Sequence, residues 1–149
     1  MDRTLVIVKP DAVQRGLIGE VVGRLERRGL KVSALKMMRL DRATAELHYA
    51  EHTGKPFFEG LVEFITSGPI VVAIFEGPEA VPIVRTTMGK TKPSESPPGS
   101  IRGDLAIDMG RNIIHGSDSP ESAEREIGIY FTDAEVLDYS RSIEGWIVE

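Results

Sequence analysis

Apolar residues recur along this chain in two rhythms, and each change of rhythm marks an element. RTLVIV, residues 3–8, is a short buried run that predicts a strand. It stops at Lys9-Pro10, because proline lacks a ladder donor and pushes Lys9 into an extended conformation. In GLIGEVVGRLERRGL, Leu17, Ile18, Val21, Val22 and Leu25 form one helical stripe, with Glu20, Arg24, Glu26, Arg27 and Arg28 facing away. Gly29 follows as a C-terminal stop, and two arginines lie at the negative end of the helix dipole. KVSALKMMRL, 31–40, predicts a second strand whose alternation slips near Ala34-Leu35, the mark of a bulge.

ATAELHYAEH predicts a helix ending near Gly54, and FFEGLVEFI, after Pro56, predicts another. PIVVAIF, 69–75, is a continuous apolar run suited to a central strand. EAVPIVRTTM predicts a helix that tolerates Pro82 only in its first turn. Ser119, Pro120 and Glu121 form a helix start, and IGIYF, 127–131, alternates and predicts a fourth strand. The order strand-helix-strand, twice over, predicts an α+β, ferredoxin-like βαββαβ fold. Its four-stranded antiparallel sheet carries helices on its faces, a helical insertion at 42–66 and a long loop insertion at 90–114. The 149 residues suit a single domain, and a proline- and glycine-rich connection as long as 90–114 is usually functional in a compact one.

Composition narrows the function. A formal charge of -5 argues against a dedicated nucleic-acid partner while leaving room for a local basic pocket. The absence of cysteine excludes disulfides and thiolate metal sites, and no run reaches the roughly 20 apolar residues of a membrane span. The expectation is a cytoplasmic protein with no membrane partner. Asn112 and Gln14 are the only residues of their kinds, a scarcity that fits heat adaptation as well as compositional drift.

Several short motifs suggest chemistry. HYAEH, 48–52, matches an inverted zinc-protease pattern, with His48 and His52 on one helix face and Glu51 between them. No third ligand is evident, and an ordinary packed helix explains it better. GKT, 89–91, lacks the glycine that a P-loop needs where Val84 stands. RGD, 102–104, leaves Arg102 in need of another explanation in a chain with no sign of secretion. His115 stands in NIIHGSD, just ahead of the helix that carries Glu126. A lone histidine is more often structural than catalytic. A carboxylate holding one ring nitrogen would instead fix the tautomer and free the other as a nucleophile. Lys9, Arg85 and Arg102 are candidate cations for a travelling phosphate, although each taken singly reads as a surface charge. Phe57 serves equally as core or as a stacking platform.

VKPDAVQRGLIGEV, HYAEHTGKPFFEGLVEFITSGP, KPSESPPGSIRGD and GRNIIHGSDSPESAEREI together resemble the nucleoside diphosphate kinase family from about Thr4 to about Phe131. The resemblance implies ping-pong transfer of a γ-phosphate between nucleoside triphosphates and diphosphates through phosphohistidine. It assigns His115 as the histidine phosphorylated on Nδ1, Glu126 as the acid orienting it, and Ser117 as support for Glu126. Lys9 would reach the γ-phosphate and the ribose 3′-hydroxyl, and Tyr49 would lie near the transferred group. Arg85, Thr91 and Arg102 would grip the phosphates, Asn112 the ribose, and Phe57 the base. Mg2+ would be held by the nucleotide, with Asp118 reaching it at most through water and no direct protein ligand. The resemblance also implies a homohexamer, with a homotetramer as the alternative and the loop around Pro93 as a contact between subunits. Two further readings stand beside it: a zinc hydrolase using His48, Glu51 and His52, and a non-catalytic module that binds a nucleotide without turnover.

Overall fold

A computed structural model describes residues 1–149. Its elements are β1 (Asp2–Val8), α1 (Pro10–Gln14), α2 (Ile18–Arg28), β2 (Lys31–Arg39), α3 (Arg42–His48), α4 (Phe58–Ile65), β3 (Pro69–Gly77), α5 (Ala80–Met88), α6 (Ile101–Leu105), β4 (Ile114–Gly116) and α7 (Pro120–Tyr130). Short 3-10 turns lie at Ala50–His52, Pro93–Glu95, Asp133–Glu135 and Glu144–Trp146. The sheet runs β2-β3-β1-β4, and every neighbouring pair is antiparallel, as the ferredoxin-like expectation required. No helix is long and apolar enough to cross a membrane.

Alternation along the central strands splits the core in two. Val6, Val8, Val71, Ala73 and Phe75 face one layer with Val21, Leu25, Val84 and Met88 from α2 and α5. Leu5, Ile7, Ile70, Val72 and Ile74 face the other, with Ala45, Val62, Ile65, Ile127 and Tyr130 from α3, α4 and α7. A sheet covered on both faces explains why β1 and β3 read as unbroken apolar runs. Gly29 caps α2 at φ 117, and β2 carries its bulge between Val32 and Ala34. Both agree with the sequence.

The fourth strand is elsewhere. Residues 127–130 belong to α7, whose buried Ala123, Glu126, Ile127 and Tyr130 recur at helical spacing. Five alternating residues fit either period, and the Ser119 cap, which accepts from the Ser122 amide at 3.1 Å, sets the helical one running. The actual β4 is only three residues long and contains His115. It closes the insertion, which the structure fills with the Pro93–Glu95 turn and α6. The helix predicted through HYAEH also breaks: α3 ends at His48, and a 3-10 turn takes over at Ala50.

Candidate active site

Strand β1 builds the site from the sheet outward. Ile7 pairs with His115 across the antiparallel ladder, so His115 shares the face covered by α3, α4 and α7. Just before it, Ile113 is fully buried at φ 77, in the left-handed region where a β-branched residue is strained. Two bonds hold it there: its amide donates to Asp11 Oδ2 at 3.0 Å, and its carbonyl accepts from the Lys9 amide at 2.9 Å. Lys9 and Asp11 flank Pro10, so the end of β1 sets the approach to His115. Asp11 was missed in the sequence because nothing local distinguishes it from an ordinary acidic residue in the first turn of a helix. After His115, Gly116 is obligatory: a Cβ there would meet Met88 Sδ at 2.8 Å and Val84 Cγ1 at 2.9 Å.

His115 Nε2 lies 2.8 Å from Glu126 Oε1. Glu126 is buried, and its carboxyl is held below the usual range: burial opposes ionisation, but hydrogen bonds and charge from His115 and a bond from Ser117 outweigh it. A carboxylate accepts, so Nε2 carries the proton and Nδ1 keeps its lone pair. Ser117 Oγ donates to the same Glu126 oxygen at 2.8 Å while accepting from the Leu5 amide at 3.2 Å. The acid that holds the ring is thus itself anchored to β1.

Around the ring lies a cleft of about 690 Å³. Its lining includes Lys9, Tyr49, Phe57, Arg85, Thr91, Arg102, Asn112, His115, Asp118 and Glu126, and Ser117 stands just behind. Every residue proposed from the sequence is therefore gathered in one place. A more open hollow of about 630 Å³, lined by Arg24, Arg28, Thr87 and the Pro97–Ser100 loop, lies apart from these residues.

The cations crowd one another. Lys9 Nζ donates to Asn112 Oδ1 at 2.8 Å, and desolvation followed by the charge of Arg102 pulls its pKa down to about 8. Arg102 is 4% exposed, and burial with the nearby Arg85 pushes it down to about 10, still charged at pH 7. Its guanidinium donates to the carbonyls of Asn112 (3.1 Å), Lys90 (3.1 Å) and Ile114 (2.6 Å). Arg85 donates to the Gly116 carbonyl at 3.2 Å. Three cations gathered in a chain of net charge -5 form a socket suited to a polyanion.

Phe57 is 51% exposed, with the Lys55 ammonium 5.8 Å from its ring centre. Such an apolar face at a cleft mouth suits a flat ring. His52 packs on it at 5.2 Å, whereas His48 packs edge-on against His115 at 4.7 Å. The two imidazoles of HYAEH thus point to different neighbours, which removes the zinc-protease arrangement. His48 is the residue whose place the sequence concealed, since a buried histidine beside apolar spacing reads as core. Burial, then the nearby His115, lowers its pKa to about 3. Arg125 holds it in place by donating to the carbonyls of Leu47 (3.1 Å) and His48 (3.4 Å) at the end of α3. Burial pushes the Tyr49 phenol up to about 12, so it remains a donor.

The family profile described as "Nucleoside diphosphate kinase" matches residues 2–136. The chain belongs to the nucleoside diphosphate kinase family. A nucleoside diphosphate kinase of Thermomicrobium roseum is 62% identical over 99% of both chains. One from Archaeoglobus fulgidus is 57% identical over 100% of this chain and 99% of its own. The solved nucleoside diphosphate kinase of Halobacterium salinarum, in complex with CDP, superposes with a TM-score of 0.97 at 51% identity, covering 99% of each chain. These relatives match over nearly the whole length of the chain.

Proposed function

We propose that this chain passes the terminal phosphate of a nucleoside triphosphate, ATP foremost, to a nucleoside diphosphate through a phosphohistidine at His115, with residues 1–149 acting as one kinase domain. The observation that carries this reading is the pinned imidazole, with Nε2 tied to Glu126 at 2.8 Å, beside the three-cation socket of Lys9, Arg85 and Arg102. In the first half-reaction the Nδ1 lone pair forms a bond to the γ-phosphorus. The bond from that phosphorus to the bridging oxygen breaks, and its electron pair leaves with the nucleoside diphosphate. The second half-reaction runs the same path backwards with a different diphosphate.

Such transfer asks for alignment and charge stabilisation more than for proton chemistry. Glu126 keeps the ring oriented and balances the positive charge that grows on it, and Ser117 holds Glu126. Lys9, Arg85, Thr91 and Arg102 would meet the phosphates, Lys9 and Asn112 the ribose, and Tyr49 the transferred group. Phe57 offers only a face, and stacking accepts any base. The donor set suits magnesium carried by the nucleotide: Glu126 is already engaged, and exposed Asp118 would reach the ion through water. Asp118 is held below the usual carboxylate range, chiefly by a hydrogen bond from Ser122. When bound, the ion neutralises charge on the β- and γ-oxygens.

Exposed apolar side chains, Leu35 and Met37 on the open edge of β2 together with Ile107 and Met109 beside the loop, support assembly as a homo-oligomer, the hexamer being our choice over the tetramer. The absence of cysteine suits the reducing cytoplasm.

The test is incubation with magnesium and γ-labelled ATP in the absence of acceptor. The expected result is protein-bound label that acid removes and alkali spares, discharged by any nucleoside diphosphate. Label that is never discharged would refute the exchange. A second test uses pH. As pH rises through 8, Lys9 loses its charge, so the affinity for magnesium-ADP, measured by calorimetry, is expected to fall by up to about tenfold per unit above that value. The Lys9→Met protein is expected to show no such step. Stability moves the other way: between 8 and 10.5 the unfolded chain holds a proton that the folded chain has released, so this group adds stability as pH rises.

A further inference from the structure

The transfer proposed above makes no use of His48, which nevertheless stands against the nucleophile. The residue is 4% exposed, and Nδ1 is shut away from solvent with no hydrogen-bond partner. A buried polar atom left unpaired asks for an ion or water to complete it, as do the unpaired His52 Nδ1 and Tyr130 hydroxyl nearby. One ligand atom from each of His48, His115 and Glu126 lies within 4.8 Å of the others. All three residues line the cleft, so an ion has a path from solvent.

We propose that His48, His115 and Glu126 form a site for a transition-metal ion, zinc above all, that closes over the nucleophile. Two imidazoles and a carboxylate are the donors zinc takes, whereas magnesium selects oxygen. This site is therefore chemically distinct from any ion carried on a nucleotide. Three protein ligands leave a fourth position for water. Bonds of about 2.0–2.2 Å set tetrahedral ligand atoms about 3.4 Å apart, so a pair at the 4.8 Å limit must draw in by about 1.4 Å. His115, half-buried at the cleft, has room to follow. Support from behind is already built: Ser117 donates to Glu126, and Arg125 holds the backbone of His48. His52 has no part, since its ring packs on Phe57.

Metal bound at Nε2 would replace the proton that Glu126 now accepts; that proton moves to Nδ1, which then has no lone pair for phosphorus. Phosphorylation would stop until the ion left. That consequence rests on the proposed phosphoryl transfer, whereas binding of the ion does not.

The experiment titrates the full, nucleotide-free protein with Co2+, followed by visible absorption, and then displaces it with Zn2+. The expected result is one equivalent of ion giving the intense spectrum of a four-coordinate centre. Losing an outer-shell partner costs a metal site about 10–100-fold in affinity, so His48→Phe, which removes a ligand, is expected to cost at least about 100-fold. Affinity in His52→Gln is expected to match the wild type. A weak octahedral spectrum in the wild type, or wild-type affinity in His48→Phe, would overturn the site. Should His48→Phe not fold, His48→Gln and the wild-type spectrum still decide. Labelling by magnesium-ATP with and without Zn2+ then tests the consequence. Block of the wild type but not of His48→Gln supports occlusion; labelling undisturbed with the site filled overturns it. A protein that binds cobalt as described but never accepts label would refute the phosphoryl transfer and leave the metal site standing.

Discussion

Replacing His115 with alanine is expected to lower phosphate exchange by about 10⁴–10⁶-fold, the scale seen when a covalent nucleophile is deleted. Acid-labile label on the protein should vanish with it. The fold should survive, because the His115 side chain is 22% exposed and Glu126 keeps its bond from Ser117. Leaving that buried carboxylate one partner short should cost about 1–3 kcal/mol in denaturant unfolding. Exchange kinetics and label retention, measured together, separate the two effects. Label at wild-type level in a folded His115→Ala protein would place the nucleophile elsewhere.

Arg102→Ala is expected to do damage of a different kind. The guanidinium belongs to the proposed phosphate socket, and in this structure it ties together the carbonyls of Lys90, Asn112 and Ile114. Bonds to a charged donor contribute about 1.5–3 kcal/mol each, and all three go with the side chain, although the Asn112 carbonyl keeps the Ile114 amide as a donor and Lys90 is exposed. Partial relaxation and entry of water would recover some of this, so a net loss of about 3–5 kcal/mol is expected in urea unfolding. At temperatures where the variant stays folded, phosphorylation by ATP should still fall by about 10²–10³-fold, the usual effect of losing one preorganised charge-stabilising donor. Arg102→Lys should rescue little stability, since an ammonium lacks the planar fork that reaches three carbonyls at once. An unfolding midpoint in Arg102→Ala equal to that of the wild type would rule out the strut.

This double duty explains why Arg102 gave no clear signal in RGD: the sequence shows its charge but not the three carbonyls around it. Other features were legible because their causes are local. Ser119-Pro120 starts a helix by filling positions its own backbone requires, and the slip in β2 alternation is the bulge itself. The placement of β4 was not legible. Three residues are too few to show a period, and their strand identity comes from pairing with Val6, Ile7 and Val8, more than a hundred positions away. IGIYF failed for the opposite reason, since its alternation lies within a longer helical stripe that begins at Ala123. At the site, the residues gathered around His115 and Glu126 were named by motifs carried by the family resemblance, and their roles are those proposed above. The positions of Asp11 and His48 depend on tertiary contacts, to Ile113 and to the His115 ring, which neither motif nor spacing displays.

His115, Ser117 and Lys9 are all bonded to or continuous with β1, while Phe57 rides on the helical insertion between β2 and β3. In the proposed transfer the reacting atoms are therefore fixed to an interior strand, and the surface offered to the base sits on a peripheral attachment. If Phe57 holds the base as proposed, changes in that attachment would retune which bases are welcomed without moving the nitrogen proposed to accept the phosphate.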